Sequence, residues 1–264
     1  MSLFRAGHKP VIGMVHAPAL PGAPRAGLPW NAGKTAVSRD AEALAQGGVD
    51  AIIIENYGDA PFFPGRVPAH TVSHLTALAL EVKRVAQLPL GINMLRNDGV
   101  SAIAVAAAAG AAFIRVNILT GARVTDQGII QGIAHDLLRE RALLGANAIA
   151  VFADVNVKHS APLAARAEAD EVSDLLHRGG ADAVIVSGAG TGKPTDLDEL
   201  RRVKAAAGAS PVLVGSGVTE DTLASLWPAA DGFIVGTCLK KDGRVGEPVD
   251  AERVKRLMAR ARGA

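Results

Sequence analysis

The 264 residues carry 28 basic and 26 acidic side chains, a formal net charge of +2, which provides no field to argue for nucleic acid or an acidic membrane. The expected partner is therefore a small molecule. A single cysteine, Cys238, excludes an internal disulfide framework, and the opening MSLFRAGHKP has no apolar core of signal-peptide length, so the cytosol is the expected location.

In chain order, the first apolar run is VIGMVH at 11–16, followed by a Pro/Gly-rich stretch at 17–29 that reads as a long loop. AIIIEN at 51–56 comes next, with a second such loop at 61–68, and then LGINM at 90–94. The alanine-rich stretch from Val100 to Ile114 is too short to span a bilayer, and it leads into FIRVN at 113–117. AIAVFADV (148–155), AVIVSG (183–188), VLVG (212–215) and GFIVG (232–236) complete a set of eight. Most are continuous rather than alternating, as strands buried on both faces of a parallel sheet require, and helical patterns fill the gaps.

One short phrase recurs ahead of four of them: GGVDAIII at 47–54, AGAAFIRV at 109–116, GGADAVIV at 179–186 and PAADGFIV at 228–235. Small residues end a helix, the chain turns, and β-branched residues begin a strand, the chemistry of a tight αβ loop. Eight such strands close into a (β/α)8 TIM barrel, and with no linker or composition shift the expectation is one domain over 1–264. A doubly wound sheet would place a dinucleotide fingerprint after the first strand, and HAPALPGAPRAG lacks it.

A barrel gathers the C-terminal ends of all its strands at one rim, and here those ends are polar. They supply His16, Glu55 with Asn56, Asn93 with Arg96, Asn117, Asp154 with Asn156, Lys158, His159 and Ser187. A single polar strand end often does no more than bond a neighbouring loop, but so many converging ionisable groups point to acid/base chemistry or metal binding. Glu55, Asp154, Lys158 and His159 are the catalytic candidates, with His16, Asn93, Asn117 and Ser187 expected to contact substrate. Lys158 in DVNVKHS, lowered in pKa, is suited to attack a carbonyl or act as a base; a solvated or anion-holding lysine is the competing reading. His16, Glu55 and Asp154 are also types that hold a divalent ion, yet no HExxH or paired-cysteine spacing fixes one, so no cofactor is assigned.

Near the end, Gly215, Ser216 and Gly217 in LVGSGVTEDT and Gly236 with Thr237 in GFIVGT read as a phosphate cup, built where barrels use the loops after strands seven and eight. The glycines would let a ligand reach the backbone, and Thr219 would cap a helix through EDTLASLW with Thr222 in the capping-box position. Two Lys-containing glycine loops are not nucleotide P-loops: SGAGTGKPT has Ser187 and Pro194 at key positions, and AGLPWNAGKTA has its first glycine misplaced. Gly188, Gly190 and Gly192 are expected instead in a loop over the site, and Cys238 as a packing residue.

GMVHAPALPGAP, GGVDAIIIENYGDAPF, FIRVNILTGARVTDQGII, FADVNVKHS, ADAVIVSGAGTGKPTDLDEL and VLVGSGVTEDT together resemble the BtpA/SgcQ family nearly end to end, with Ala17 replacing a bulkier apolar residue. The resemblance implies a ribulose-phosphate-binding type of barrel with the phosphate cup in that place, and no particular reaction. The leading expectation is an enzyme on a small phosphorylated substrate such as a sugar phosphate, its reaction open among isomerisation, aldol-type cleavage and hydrolysis; the alternative, from the family's cyanobacterial namesake, is a non-catalytic factor in photosystem I biogenesis or stability, which would bring the chain to a membrane surface. Barrels of this kind commonly pair through their outer helices, so a homo-oligomer is expected.

Overall fold

All eight apolar runs form strands of one closed parallel barrel in the computed structural model, which describes residues 3–5, 7–188 and 195–263. The barrel strands are β1 (Val11–His16), β2 (Ala51–Glu55), β3 (Leu90–Asn93), β4 (Phe113–Val116), β7 (Ala150–Asp154), β9 (Ala183–Val186), β10 (Val212–Val214) and β11 (Gly232–Val235). Three further short strands, β5 (Ala122–Thr125), β6 (Gly128–Gln131) and β8 (Ser160–Pro162), stand outside the barrel. Around the ring the order is β1-β11-β10-β9-β7-β4-β3-β2. This is a (β/α)8 TIM barrel.

The returning segments are α1 (Trp30–Gly47), α2 (Ala69–Ala86), α3 (Gly99–Ala109), α4 (Ala134–Leu143), α5 (Glu168–Ser173), α6 (Leu197–Ala207), α7 (Leu223–Leu226) and α8 (Ala251–Arg262). In α1, Gly33, Val37, Ala41 and Leu44 are buried at the helical period, and Gly48 ends the helix in a left-handed conformation (φ 87°), its N–H returning to the carbonyls of Ala45 and Leu44. Gly110 does the same for α3 (φ 61°), as the recurring phrase predicts. The alanine-rich stretch is α3, capped by the Asp98 carboxylate on the Ser101 N–H and buried along most of its length. Among the described residues no helix is long and apolar enough to cross a membrane.

Two features depart from the sequence reading. The segment EDTLASLW yields only the single turn α7, because Pro228 carries the chain into a 3-10 turn at Trp227–Ala229. The strands β6-β5-β8 make a small antiparallel sheet in the loops after β4 and β7, over a separate apolar cluster of Ile118, Ile130 and Val157. Gly190 and Gly192, expected in a loop over the site, lie outside the described residues.

Candidate active site

Side chains alternate in direction along a strand, so every second residue points into the barrel. Ile12 and Met14 of β1, Ile53 of β2, Phe113 of β4, Phe152 of β7, Ile185 of β9, Leu213 of β10 and Ile234 of β11 pack inside it. Phe113 and Phe152 stack at 4.7 Å, and Phe113 occupies the space above Gly91, where a Cβ would come within 2.2 Å of the ring. The next inward position on each strand is the last before the loops: His16, Glu55, Asn93, Arg115, Asp154, Ser187, Gly215 and Gly236. The sequence thus writes an apolar interior topped by one polar ring, with His16, Glu55, Asn93 and Arg115 in direct register on four adjacent strands.

Asp154 is fully engaged within this ring. Its Oδ2 accepts from Arg115 Nε at 2.9 Å and Asn117 Nδ2 at 2.8 Å, and its Oδ1 from the second Arg115 nitrogen at 2.7 Å and Ser187 Oγ at 3.2 Å. The bidentate pair is buried, with Arg115 only 3% and Asp154 2% exposed. Glu55 accepts from Asn93 Nδ2 at 2.9 Å and has His16 Nε2 3.7 Å from its other oxygen. His16 also packs edge-on against Tyr57. Burial pushes the His16 imidazole down to about 4 despite the nearby Glu55 carboxylate, so at neutral pH it carries no charge. Lys158, on the segment between β7 and β8, is lowered from the ordinary lysine value by burial and then by the Arg115 guanidinium.

On the β10–β11 side the ring has glycine in place of side chains, and the barrel interior opens there. A cavity of about 260 Å³ reaches down to Met14 and Ile234 and is walled by Gly215, Ser216, Gly217, Gly236 and Thr237. Two glycines serve a purpose beyond ligand access: a Cβ on Gly215 would lie 2.7 Å from Ser187 Oγ, and one on Gly236 2.9 Å from His16 Cε1. They make room for the ring's own side chains. Gly217 adopts φ 71°, the left-handed region that favours glycine. Ser216 Oγ accepts from the Gly188 N–H at 2.8 Å, which leaves its own proton for donation. Thr219 and Thr222 exchange the reciprocal bonds expected, Thr219 N–H to Thr222 Oγ1 at 2.9 Å and Thr222 N–H to Thr219 Oγ1 at 3.2 Å, but they close a turn ahead of α7, whose N-cap is Thr222 and not Thr219. Because α7 is one turn long, its dipole is small; besides Arg115 and Lys158 the cavity wall carries Arg253, whose Nε donates to the Cys238 carbonyl at 2.7 Å. Burial raises the Cys238 thiol to about 12, as suits a packing residue.

A second, larger cavity of about 580 Å³ opens on the β2–β3–β4 side, lined in part by Tyr57, Asn93, Arg96, Asn117 and His159. His16, Glu55, Arg115 and Lys158 line both cavities, so the two share a wall of ring residues. The sequence candidates therefore converge on one region, with two exceptions among the polar strand ends: Asn156 turns outward to Glu199 of α6 at 2.7 Å, and Asn56 spends its amide on Asp59 at 3.0 Å and on the Leu95 N–H at 2.7 Å. His159 is exposed, with a left-handed backbone (φ 58°). The described residues contain no group of three His, Cys, Asp or Glu side chains able to hold a metal, and Asp154, one of the three ligands considered, is occupied by Arg115.

The sequence reading overlooked Arg115, Tyr57 and Arg253 as members of the site. Arg115 had a signal: it is a charge in the middle of FIRV, a run otherwise made for burial, and a buried guanidinium needs a carboxylate nearby. Arg253 had none, because α8 brings it to the cup only after the barrel closes.

The profile of the BtpA family matches residues 7–263. The chain belongs to the BtpA family. One relative, an uncharacterized protein of Thermococcus kodakarensis, is 46% identical over 96% of this chain and 95% of its own length. The photosystem I biogenesis protein BtpA of Synechocystis is 45% identical over 96% of this chain and 89% of its own. Among solved structures, N-(5'-phosphoribosyl)anthranilate isomerase from Pyrococcus furiosus superposes with a TM-score of 0.59 at 14% identity, covering 97% of this chain and 100% of that one, a likeness of fold.

Proposed function

We propose that this BtpA-family chain is an enzyme that holds the phosphate of a small phosphorylated molecule in the glycine cup and carries out its chemistry on the polar ring beside it. The observation that carries this reading is the shared wall: His16, Glu55, Arg115 and Lys158 border both the cup and the larger chamber, so a ligand anchored at one reaches the other. Phosphate binds through Gly217, Ser216 and Thr237 with the Arg253 guanidinium beside them.

Lys158 supplies the reactive amine. Its lowered pKa makes a larger fraction neutral near physiological pH, which suits a base or an attack on a carbonyl. Glu55 is the second proton carrier, and neutral His16 donates a hydrogen bond to developing negative charge. Asp154 orients Arg115 instead of moving a proton, since its oxygens are already taken.

Mass-spectrometric screening of phosphorylated carbonyl metabolites tests the proposal. Wild type is expected to convert one of them; Lys158→Met to bind it without turnover, a loss of at least about 10²-fold for a removed acid–base group; Gly217→Asp to lose binding through anion repulsion. Conversion by Lys158→Met at the wild-type rate contradicts the assignment of Lys158.

The assembly-factor reading has its own support in the name of the Synechocystis relative. The Thermococcus relative is as similar, however, and the ionisable ring is more than a purely structural scaffold needs. Wild type that binds and converts nothing in the screen would turn the account toward the assembly role.

A further inference from the structure

We propose that the ligand carries a second anionic group, which binds Arg96 on the side of the barrel opposite the phosphate cup, and that a hydroxyl of the same ligand donates to Asn117. This rests on the phosphorylated-ligand reading only for the two anions belonging to one molecule; the Arg96 site itself stands on its own observations.

Arg96 follows β3 and is 95% buried, being 5% exposed. A guanidinium that far from water is costly unless an anion accompanies it. The other deeply buried arginines have one: Arg115 is held by Asp154 at 2.7 Å, and Arg123 has Glu171 at 3.8 Å. Arg96 has no carboxylate within 4.0 Å among the described residues. One of its terminal nitrogens donates to the Lys158 carbonyl at 2.5 Å, and its Nε is buried without any partner. The side chain lines the larger chamber, so an anion held there meets a guanidinium that has no carboxylate of its own.

Asn117 adds the complementary half. Its Nδ2 is committed to Asp154 at 2.8 Å, which fixes the orientation of the amide and leaves Oδ1 as a buried acceptor with no donor. It lines the same chamber. A charged donor and a neutral acceptor on the wall of one chamber match a ligand that carries an anionic oxygen group and a hydroxyl. The strand order places β3 four strands from β10 in either direction around the ring of eight, so Arg96 and the Gly215–Gly217 loop face each other across the barrel mouth. A molecule with anions at both ends and hydroxyls between them spans that mouth, over the residues the two cavities share. The chemical class is a phosphorylated polyhydroxy compound whose far end is a carboxylate or a second phosphoryl group.

Crystals soaked in sodium selenate test this through the anomalous signal of selenium. The inference expects a peak within hydrogen-bond distance of the Arg96 guanidinium in wild type, and its loss in Arg96→Gln with the cup peak retained. No peak at Arg96 in wild type, or one that persists unchanged in Arg96→Gln, overturns it. The wild-type soak alone decides if the variant does not fold. A peak at Arg96 with an empty cup supports this inference and counts against the phosphate cup instead. Back-soaking with malonate or methylphosphonate then separates the two sources: displacement by either supports an anion site and names the better-fitting group, and displacement by neither contradicts it.

Discussion

His16 ties the site to the acid stability of the fold. Above pH 6.5 the imidazole is neutral whether the chain is folded or not; between there and its folded value of about 4 only the unfolded chain takes up the proton. Stability contributed by neutral His16 is therefore complete above 6.5 and lost as pH falls to about 4, amounting to about 3 kcal/mol across the window. Denaturant titrations should show that acid limb in wild type and a flatter one in His16→Asn; identical limbs would place the sensitivity elsewhere. Removing one partner of the buried Arg115–Asp154 pair has a larger effect, because it strands a charge: Asp154→Asn should cost roughly 3–5 kcal/mol, while the double change Arg115→Met with Asp154→Leu should cost much less. Sequence reasoning found Asp154, a catalytic candidate, from its place at a strand end. A strand end tells where a carboxylate points, whereas what it bonds depends on the partner one strand away, and Arg115 was hidden inside an apolar run.

At the scale of elements, glycine and ion pairs set how closely parts approach. Gly91→Ala would drive a Cβ to within 2.2 Å of the Phe113 ring, which is already stacked on Phe152, so overpacking of about 1–3 kcal/mol is expected in thermal denaturation. The loop after β11 is fastened to α1 by buried Lys240, whose Nζ meets Asp40 at 3.1 Å, while the other Asp40 oxygen accepts the Val249 N–H at 3.1 Å. That anchor holds the segment between the cup and Arg253. Asp40→Ala should lower stability by about 3 kcal/mol or more and should also weaken phosphate binding, and retention of both would contradict the anchor. The barrel strands were legible because continuous, fully buried apolar runs carry their own signal even at three or four residues. The antiparallel sheet was not, since β5, β6 and β8 are largely exposed and of mixed polarity, and one of its pairings, β5 with β8, joins segments more than thirty residues apart. Its hairpin had a cue in RVTDQGII, where Gly128 takes φ 93° just after the turn.

For the whole molecule, closure of the sheet does what no local motif does: it converts eight separated strand ends into one ring, and the missing side chains at Gly215 and Gly236 into an opening in that ring. The fold and the convergence of the polar strand ends on one rim were thus readable from the strand count and the polar ends. The division of the site into two chambers was not, because it depends on which ring positions lack side chains and on loops that meet only after closure. The most direct measurement of the central claim is a thermal-shift comparison of phosphorylated metabolites with their dephosphorylated counterparts, on wild type and Gly217→Asp. At least one phosphorylated compound should raise the melting temperature of wild type, its dephosphorylated form should not, and Gly217→Asp should abolish the shift while still unfolding cooperatively. Equal stabilisation by both forms of the compound, or an undiminished shift in Gly217→Asp, would contradict that claim.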